Sequence, residues 1–281
     1  MVSGNDAAVA LAESVGNDIN NFSYLMNKKA SDLGLSSSHF VTPHGLDDDD
    51  HYTTAYELAK IADYALKNDV FAKIVKTSNY TISINGNSKN LHNTNELLGY
   101  LDGVYGVKTG FTNGANRCLV TSCKRGNLDI ICVVLGCDTN KDRTLDSIKL
   151  INYVFNNFTV VDVRDFIEKD FNSWIETNGK NIFVDKGVYS KLEFGLNESQ
   201  IRFEKMAVKK ENLNDIETFI DFSDSFVAPL EENAVIGNLT LYVGGVDCFS
   251  VDILCEKCVD RKGIVDFLRE FFEGYLECWR L

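Results

Sequence analysis

Apolar residues recur at helical spacing through much of the first 157 positions. Ala7, Ala8, Leu11 and Val15 predict a helix over 3–15, with Ser3 and Asp6 in a capping-box arrangement and Gly16 as its stop. Ile19, Phe22, Leu25 and Met26 predict a second over 18–30. A loop over 31–50 carries Thr42-Pro43-His44-Gly45-Leu46 and an acidic run, Asp47 to Asp50. Thr54 and Glu57 form another capping box, opening a helix through Leu66 on Tyr56, Leu58, Ala59, Ile61, Ala62 and Ala65. Short strands or turns are expected around 80–84. The run 105–114 then reads as a strand. Two apolar runs, 118–123 and 128–137, are split by Arg125-Gly126-Asn127 and complete a three-strand meander. Leu145, Ile148, Ile151, Tyr153, Val154 and Phe155 predict a helix over 142–155.

The pattern then changes. Over 166–258 the reading is of strands alone: 191–196, 201–208, 216–222, 239–243 and 246–254, with turns at Gly195, Gly237 and Gly244-Gly245. This predicts a separate all-β domain beyond a boundary at 156–165. The final stretch reads as an amphipathic helix on Ile264, Val265, Leu268, Phe271, Phe272, Tyr275, Leu276 and Trp279. Its polar face sets Asp266, Glu270, Glu273 and Glu277 against Arg269 and Arg280. Such a stripe can lie on a membrane surface, but an acidic face opposes anionic lipid. Docking on the β domain and self-association stand beside peripheral membrane contact through 263–281. The fold class is thus α+β: a mixed domain over 1–157, a β-sandwich-like domain over 166–260, and a helix over 263–281.

A length of 281 residues fits two domains. A net charge of −13 argues against nucleic acid as a partner. No apolar run is long enough to span a membrane. The opening Met1-Val2-Ser3-Gly4-Asn5-Asp6 lacks the basic start and apolar segment of a signal peptide, which taken literally means cytoplasmic. Seven of the eight cysteines lie in or beside apolar β-like runs and read as small buried hydrophobes. A cross-strand disulfide stays open, because Cys118 with Cys137 and Cys123 with Cys132 share one register. Cys255 and Cys258 make half a zinc site and read as structural. The acidic run reads as a solvated turn rather than a cation site. Neither metal nor cofactor is expected.

The candidate chemistry sits at Lys108-Thr109-Gly110. Neighbours on a strand point to opposite faces, so Lys108 and Thr109 share one groove only if the strand twists or lies at a sheet edge. A cation, a hydroxyl and an unpaired edge together suit a peptide ending in a carboxylate. The alternative is a solvated lysine in a turn.

Three motifs in order are similar to those of the serine-type D-alanyl-D-alanine carboxypeptidases, the low-molecular-weight penicillin-binding proteins of peptidase family S11. They are Ser3-Gly4-Asn5 opening a helix, Thr42-Pro43-His44-Gly45-Leu46 with His51-Tyr52-Thr53-Thr54-Ala55, and Lys108-Thr109-Gly110 opening the meander. Val227-Ala228-Pro229-Leu230 and Ile236-Gly237-Asn238-Leu239 resemble the family's C-terminal β domain. The resemblance implies a partial β-lactamase/transpeptidase-like domain, a place at the bacterial cell wall or outer membrane face, and serine acyl-enzyme chemistry. It implies peptidoglycan stem peptides ending in D-Ala-D-Ala as substrate and β-lactams as ligands. On it, Ser3 relays a proton and Asn5 holds the substrate amide. Lys108, Thr109 and Gly110 bind the terminal carboxylate, and the Phe111 N–H is an oxyanion donor. His44 and His51 read as loop packing rather than as a base. The family's nucleophile belongs to a Ser-x-x-Lys motif upstream of Ser3, and no serine from Ser3 to Ser250 has a lysine three residues on. The expectation is an N-terminally truncated chain, inactive alone. The alternative is a non-catalytic peptidoglycan- or protein-binding remnant.

Overall fold

Short polar caps start most helices of the first unit. α1 (Asn5–Gly16) and α2 (Ile19–Asp32) meet at a corner where Asn17 takes φ 65°, and Asp18 accepts the Asn21 N–H at 2.8 Å. A side chain at Gly16 would stand 2.7 Å from the Phe22 nitrogen, so only glycine permits that corner. α3 (Ala55–Leu66) is capped by Thr54, and α4 (Asp69–Lys76) by Asn68. One expectation fails here. The N-cap of α1 is Gly4, without a side-chain cap bond, so Ser3 lies one residue outside the helix and does not cap it. Glu57 is the second difference. Its backbone N–H reaches Thr54 at 3.2 Å, but its buried carboxylate accepts the Ser37 N–H at 2.9 Å and the Ser38 hydroxyl, tying loop to helix.

The computed structural model describes residues 2–179, 182–189, 191–201 and 205–278. The chain divides into two units, Met1–Asn157 and Phe158–Leu281. In the first, β1 (Asn79–Ile84) and β2 (Asn87–His92) form a hairpin about Asn85-Gly86, both at positive φ. β3 (Val104–Thr112), β4 (Asn116–Arg125) and β5 (Leu128–Cys137) form an antiparallel sheet in that order, so β3 is an edge. α5 (Asn140–Asn157) covers one face through Ile151 against Leu97, Leu119, Cys123, Cys132 and Val134. Ala62 of α3 and Val75 of α4 pack on the other with Val107, Val120 and Ile131.

The expected cysteine register does not occur. Arg125 pairs with Leu128 across the two-residue turn Gly126-Asn127, which places Thr121 opposite Cys132 and Cys123 opposite Ile130. An irregularity between Arg117 and Leu119 then sets Cys137 opposite Arg117. Neither cysteine pair is directly opposed, and the seven described thiols are free.

The second unit opens with β6 (Phe158–Asp162) and α6 (Val163–Asn178). The reading of 166–258 as free of helix is therefore wrong. Val163, Ile167 and Phe171 recur every four residues and are buried against Leu239, Leu241 and Ile253, while Asp162 caps the Asp165 N–H at 3.2 Å. The helical period was present, but β-branched and aromatic residues carry it, and those types favour strands. β7 (Phe183–Asp185), β8 (Phe194–Leu196), β9 (Lys205–Lys209), β10 (Ile216–Phe222), β11 (Ser225–Val227), β12 (Val235–Val243) and β13 (Val246–Cys255) follow. The main sheet runs β10-β12-β13-β8; β6 pairs with β9, and β7 pairs parallel with β11. Part of the expected strand at 201–208, residues 202–204, lies outside the described residues.

Gly195 and Gly237 are not turns. They pair within strands, with Leu254 and with Phe222 and Ile253. A side chain at Gly237 would stand 2.5 Å from the Phe222 ring, so glycine serves close packing there. Cys255 is buried in a second core with Ile182, Val184 and Val259, and Cys258 is exposed. α7 (Ile264–Cys278) exposes Ile264, Val265, Leu268, Phe271 and Phe272. The side chains of Tyr275 and Leu276, and Trp279 as a whole, lie outside the described residues. Among the described residues no helix is long and apolar enough to cross a membrane.

Candidate functional site

Lys108 and Thr109 lie on β3 opposite Val120 and Leu119. Because β3 is an edge strand, the two neighbours line one open hollow of about 460 Å³. Gly110, Phe111 and Ser3 line it too, so Ser3 and Lys108 share one space. Asn5, the first residue of α1, is exposed and is not among the lining residues. Ser3 does not cap α1, so its hydroxyl is not committed to that helix.

Six lining residues have no counterpart among the site residues read from the sequence: Asn93, Thr94, Glu96, Arg117, Asn140 and Arg143. Arg143 is 4% exposed, and its Nε has no hydrogen-bond partner among the described residues. Its guanidinium pairs with Glu96 at 3.7 Å, beyond hydrogen-bond length. Burial, and then the Arg143 charge, hold the Lys108 ammonium below its ordinary pKa. Lys108 donates to its neighbour's carbonyl, Thr109 O. The hollow is therefore lined by three cationic side chains, Lys108, Arg117 and Arg143, against one carboxylate, Glu96, with hydroxyls and a strand edge beside them. Arg117 lies over the Phe111 ring at 3.7 Å, and the Lys108 and Arg143 charges raise each other's energy. An incoming anion relieves that repulsion.

A charged residue in a helix usually marks a solvated face, which is why Arg143 escaped the sequence reading. One signal could have found it. The buried residues of α5 are Arg143, Ser147 and Ile151, spaced four apart, so the arginine continues the inward stripe. Thr94 carries no such signal, because it sits in a loop whose path depends on other elements.

The two histidines lie away from the hollow. His51 Nδ1 accepts the backbone N–H groups of Val41 and Thr42 at 3.0 and 3.2 Å, and its ring meets Phe40 edge-on. It thus pins the 39–52 loop in its neutral form. Burial lowers its pKa below the usual 6.5, despite the opposing pull of Asp48; His39 and His44 lower it further. Between the depressed folded value and 6.5, the unfolded chain binds a proton that the folded chain refuses. His51 therefore costs no stability above about pH 6.5 and destabilises the fold as pH falls below it. Denaturant midpoints from pH 7.5 to 5.5 should decline, and His51→Asn should flatten that decline. Parallel curves for the two proteins would refute the assignment.

A lysine and a threonine on an edge strand, lining one hollow with a buried arginine and a serine, make a cleft whose chemistry suits an anion on a mixed α/β scaffold. Comparison with known proteins gives the family. Residues 1–139 match the Peptidase_S11 family, D-alanyl-D-alanine carboxypeptidase. The chain is 32% identical to D-alanyl-D-alanine carboxypeptidase DacF of Bacillus subtilis, covering 96% of this chain and 66% of DacF. It is 30% identical to DacC of Escherichia coli K12, covering 99% of this chain and 67% of DacC. A crystal structure of penicillin binding protein 5 from Haemophilus influenzae superposes with a TM-score of 0.69 and 29% identity, over 92% of this chain and 72% of that one. The chain belongs to the peptidase S11 family, with that family's transpeptidase-like α+β fold. It spans about two thirds of the length of these curated relatives, and 61% of E. coli DacA.

Proposed function

We propose that the hollow receives the C-terminal carboxylate of a peptidoglycan stem peptide ending in D-Ala-D-Ala, as the carboxylate-binding half of a carboxypeptidase site. The supporting observation is the convergence of Lys108, Thr109 and buried, under-bonded Arg143 on one open space beside a free strand edge. Lys108 supplies a point charge and Arg143 a planar fork matched to two carboxylate oxygens. The peptide lies along β3, adding its backbone bonds to the unpaired edge. Carboxypeptidase action releases the last D-alanine. A serine attacks the penultimate carbonyl, the amine leaves with a proton, and water frees the acyl group. Ser3 is the candidate to pass that proton, since it lines the hollow and a hydroxyl donates and accepts at once. The Phe111 N–H is the candidate oxyanion donor. Asn5 is the candidate for holding the substrate amide from the start of α1.

The attacking serine of a Ser-x-x-Lys motif does not occur in these 281 residues. The polypeptide on its own therefore binds the peptide without acylation. In titrations, an N-acyl D-Ala-D-Ala should bind at least about ten times more tightly than its C-terminal carboxamide, as one or two charged hydrogen bonds are worth. Labelled penicillin should leave no covalent band on the purified chain. A labelled band would reveal a nucleophile outside Ser-x-x-Lys, and equal affinity for acid and amide would remove the carboxylate reading. The family points to a cell-wall location, and the exposed apolar stripe of α7 supports peripheral contact with a membrane surface.

A further inference from the structure

The segment joining β2 to β3 is tied down on both sides of Thr94. The Asn93 side chain donates to Val75 O at 3.2 Å and Thr77 O at 3.0 Å, and accepts the Asn95 N–H at 3.0 Å. Asn95, 2% exposed, donates to Gly106 O of β3 at 2.8 Å and accepts the Leu97 N–H at 3.1 Å. Two asparagines thus fasten the loop to the end of α4 and to the strand that bears Lys108. The result places Thr94 Oγ1 2.6 Å from Thr109 Oγ1, with both residues lining the hollow.

In such a hydroxyl pair one oxygen donates and the other accepts, and between Thr94 and Thr109 either order is allowed. A carboxylate can only accept. Once it meets Thr109, the Thr109 proton must point at it, and the Thr109 oxygen must then accept from Thr94. We infer that Thr94 is a positioning residue for carboxylate recognition. Its hydroxyl donates to Thr109, Thr109 donates to the ligand, and the chain O–H···O–H···O⁻ polarises toward the anion. A carboxamide makes no such demand, because its NH₂ can donate to Thr109 and its C=O can accept, so either proton order serves. Thr94 therefore contributes to the choice of acid over amide without touching the ligand.

This inference rests on the carboxylate reading of the hollow, and the test separates the two. Affinities for an N-acyl D-Ala-D-Ala and for its carboxamide are measured on the full chain, on Thr94→Val and on Thr94→Ser. Thr94→Val keeps the shape and removes the hydroxyl. It should weaken acid binding about 5- to 10-fold, the worth of one hydrogen bond, and leave amide binding unchanged. Thr94→Ser should bind both ligands as the wild type does. A wild-type preference for acid that survives Thr94→Val overturns the inference alone. So does an equal loss for both ligands, which marks a purely structural role. A wild type without acid preference overturns the carboxylate reading, and this inference with it.

Discussion

Arg143→Ala is expected to weaken binding of a D-Ala-D-Ala carboxylate by about 100-fold, or roughly 2.7 kcal/mol. A hydrogen bond to a charged group contributes about 1.5–3 kcal/mol, and a guanidinium offers two in parallel. Arg143 is buried, and its Nε lacks a partner among the described residues, so it gives up little to meet the ligand. The variant should fold. Glu96 is more than half exposed and keeps its 3.1 Å bond from Thr144, so no buried carboxylate is stranded. Arg143→Lys retains the charge but not the fork, and about 10-fold weakening is expected. The substitution to alanine also removes the second cause of the depressed Lys108 pKa, leaving burial alone. Carboxylate affinity requires charged Lys108 and is lost as pH rises through its pKa. That loss should therefore move to higher pH in Arg143→Ala. Calorimetric titration across pH measures both effects. Affinity within threefold of wild type, or an unmoved alkaline limb, would exclude Arg143 from the site.

Ile167→Ala is expected to destabilise the second unit by about 3 kcal/mol, within the range for a buried isoleucine cut to alanine. Ile167 is 0% exposed and packs in one cluster with Leu239, Leu241 and Ile253 of the main sheet. The lost methyl groups leave a hole lined by rigid strands, which cannot close over it. Exposed Lys169, on the same helix, is the control. Its change to alanine should move stability by less than about 0.5 kcal/mol. Denaturant unfolding followed at Trp174, which stands in the adjacent aromatic cluster with Phe171, Phe194 and Phe222, reports this unit. A loss under about 1 kcal/mol at Ile167 would mean that α6 does not close the sheet face.

These two residues mark where sequence reasoning stopped. Ile167 belongs to a helix whose period was present but was carried by residue types that favour strands. Arg143 continues an apolar stripe, yet a cation on a helix normally signals solvent. Elements with short-range causes were readable. The meander followed from alternating apolar runs about Gly126-Asn127, and Thr54 from a capping pattern three residues long. The cysteine register was misjudged because the turn falls one position earlier than that register needs: with Arg125 paired to Leu128, Cys132 faces Thr121, two residues from Cys123. The capping reading of Ser3 failed because the helix starts one residue later, at Gly4 as N-cap.

Residue pattern alone gave four helices of the first unit (α1, α2, α3 and α5, but not α4), the meander, the strand-rich second half and the chemical types Ser3, Asn5, Lys108 and Thr109. Each depends on residues within a turn or two of one another, where backbone preference and periodicity act. Long-range packing alone brings residues 3, 94, 96, 108 and 143 to one hollow. That meeting depends on β3 lying at the sheet edge, on α5 packing across the sheet, and on two asparagines holding a loop to a strand. Such contacts join residues tens of positions apart, and no local pattern of side chains encodes the distance between them.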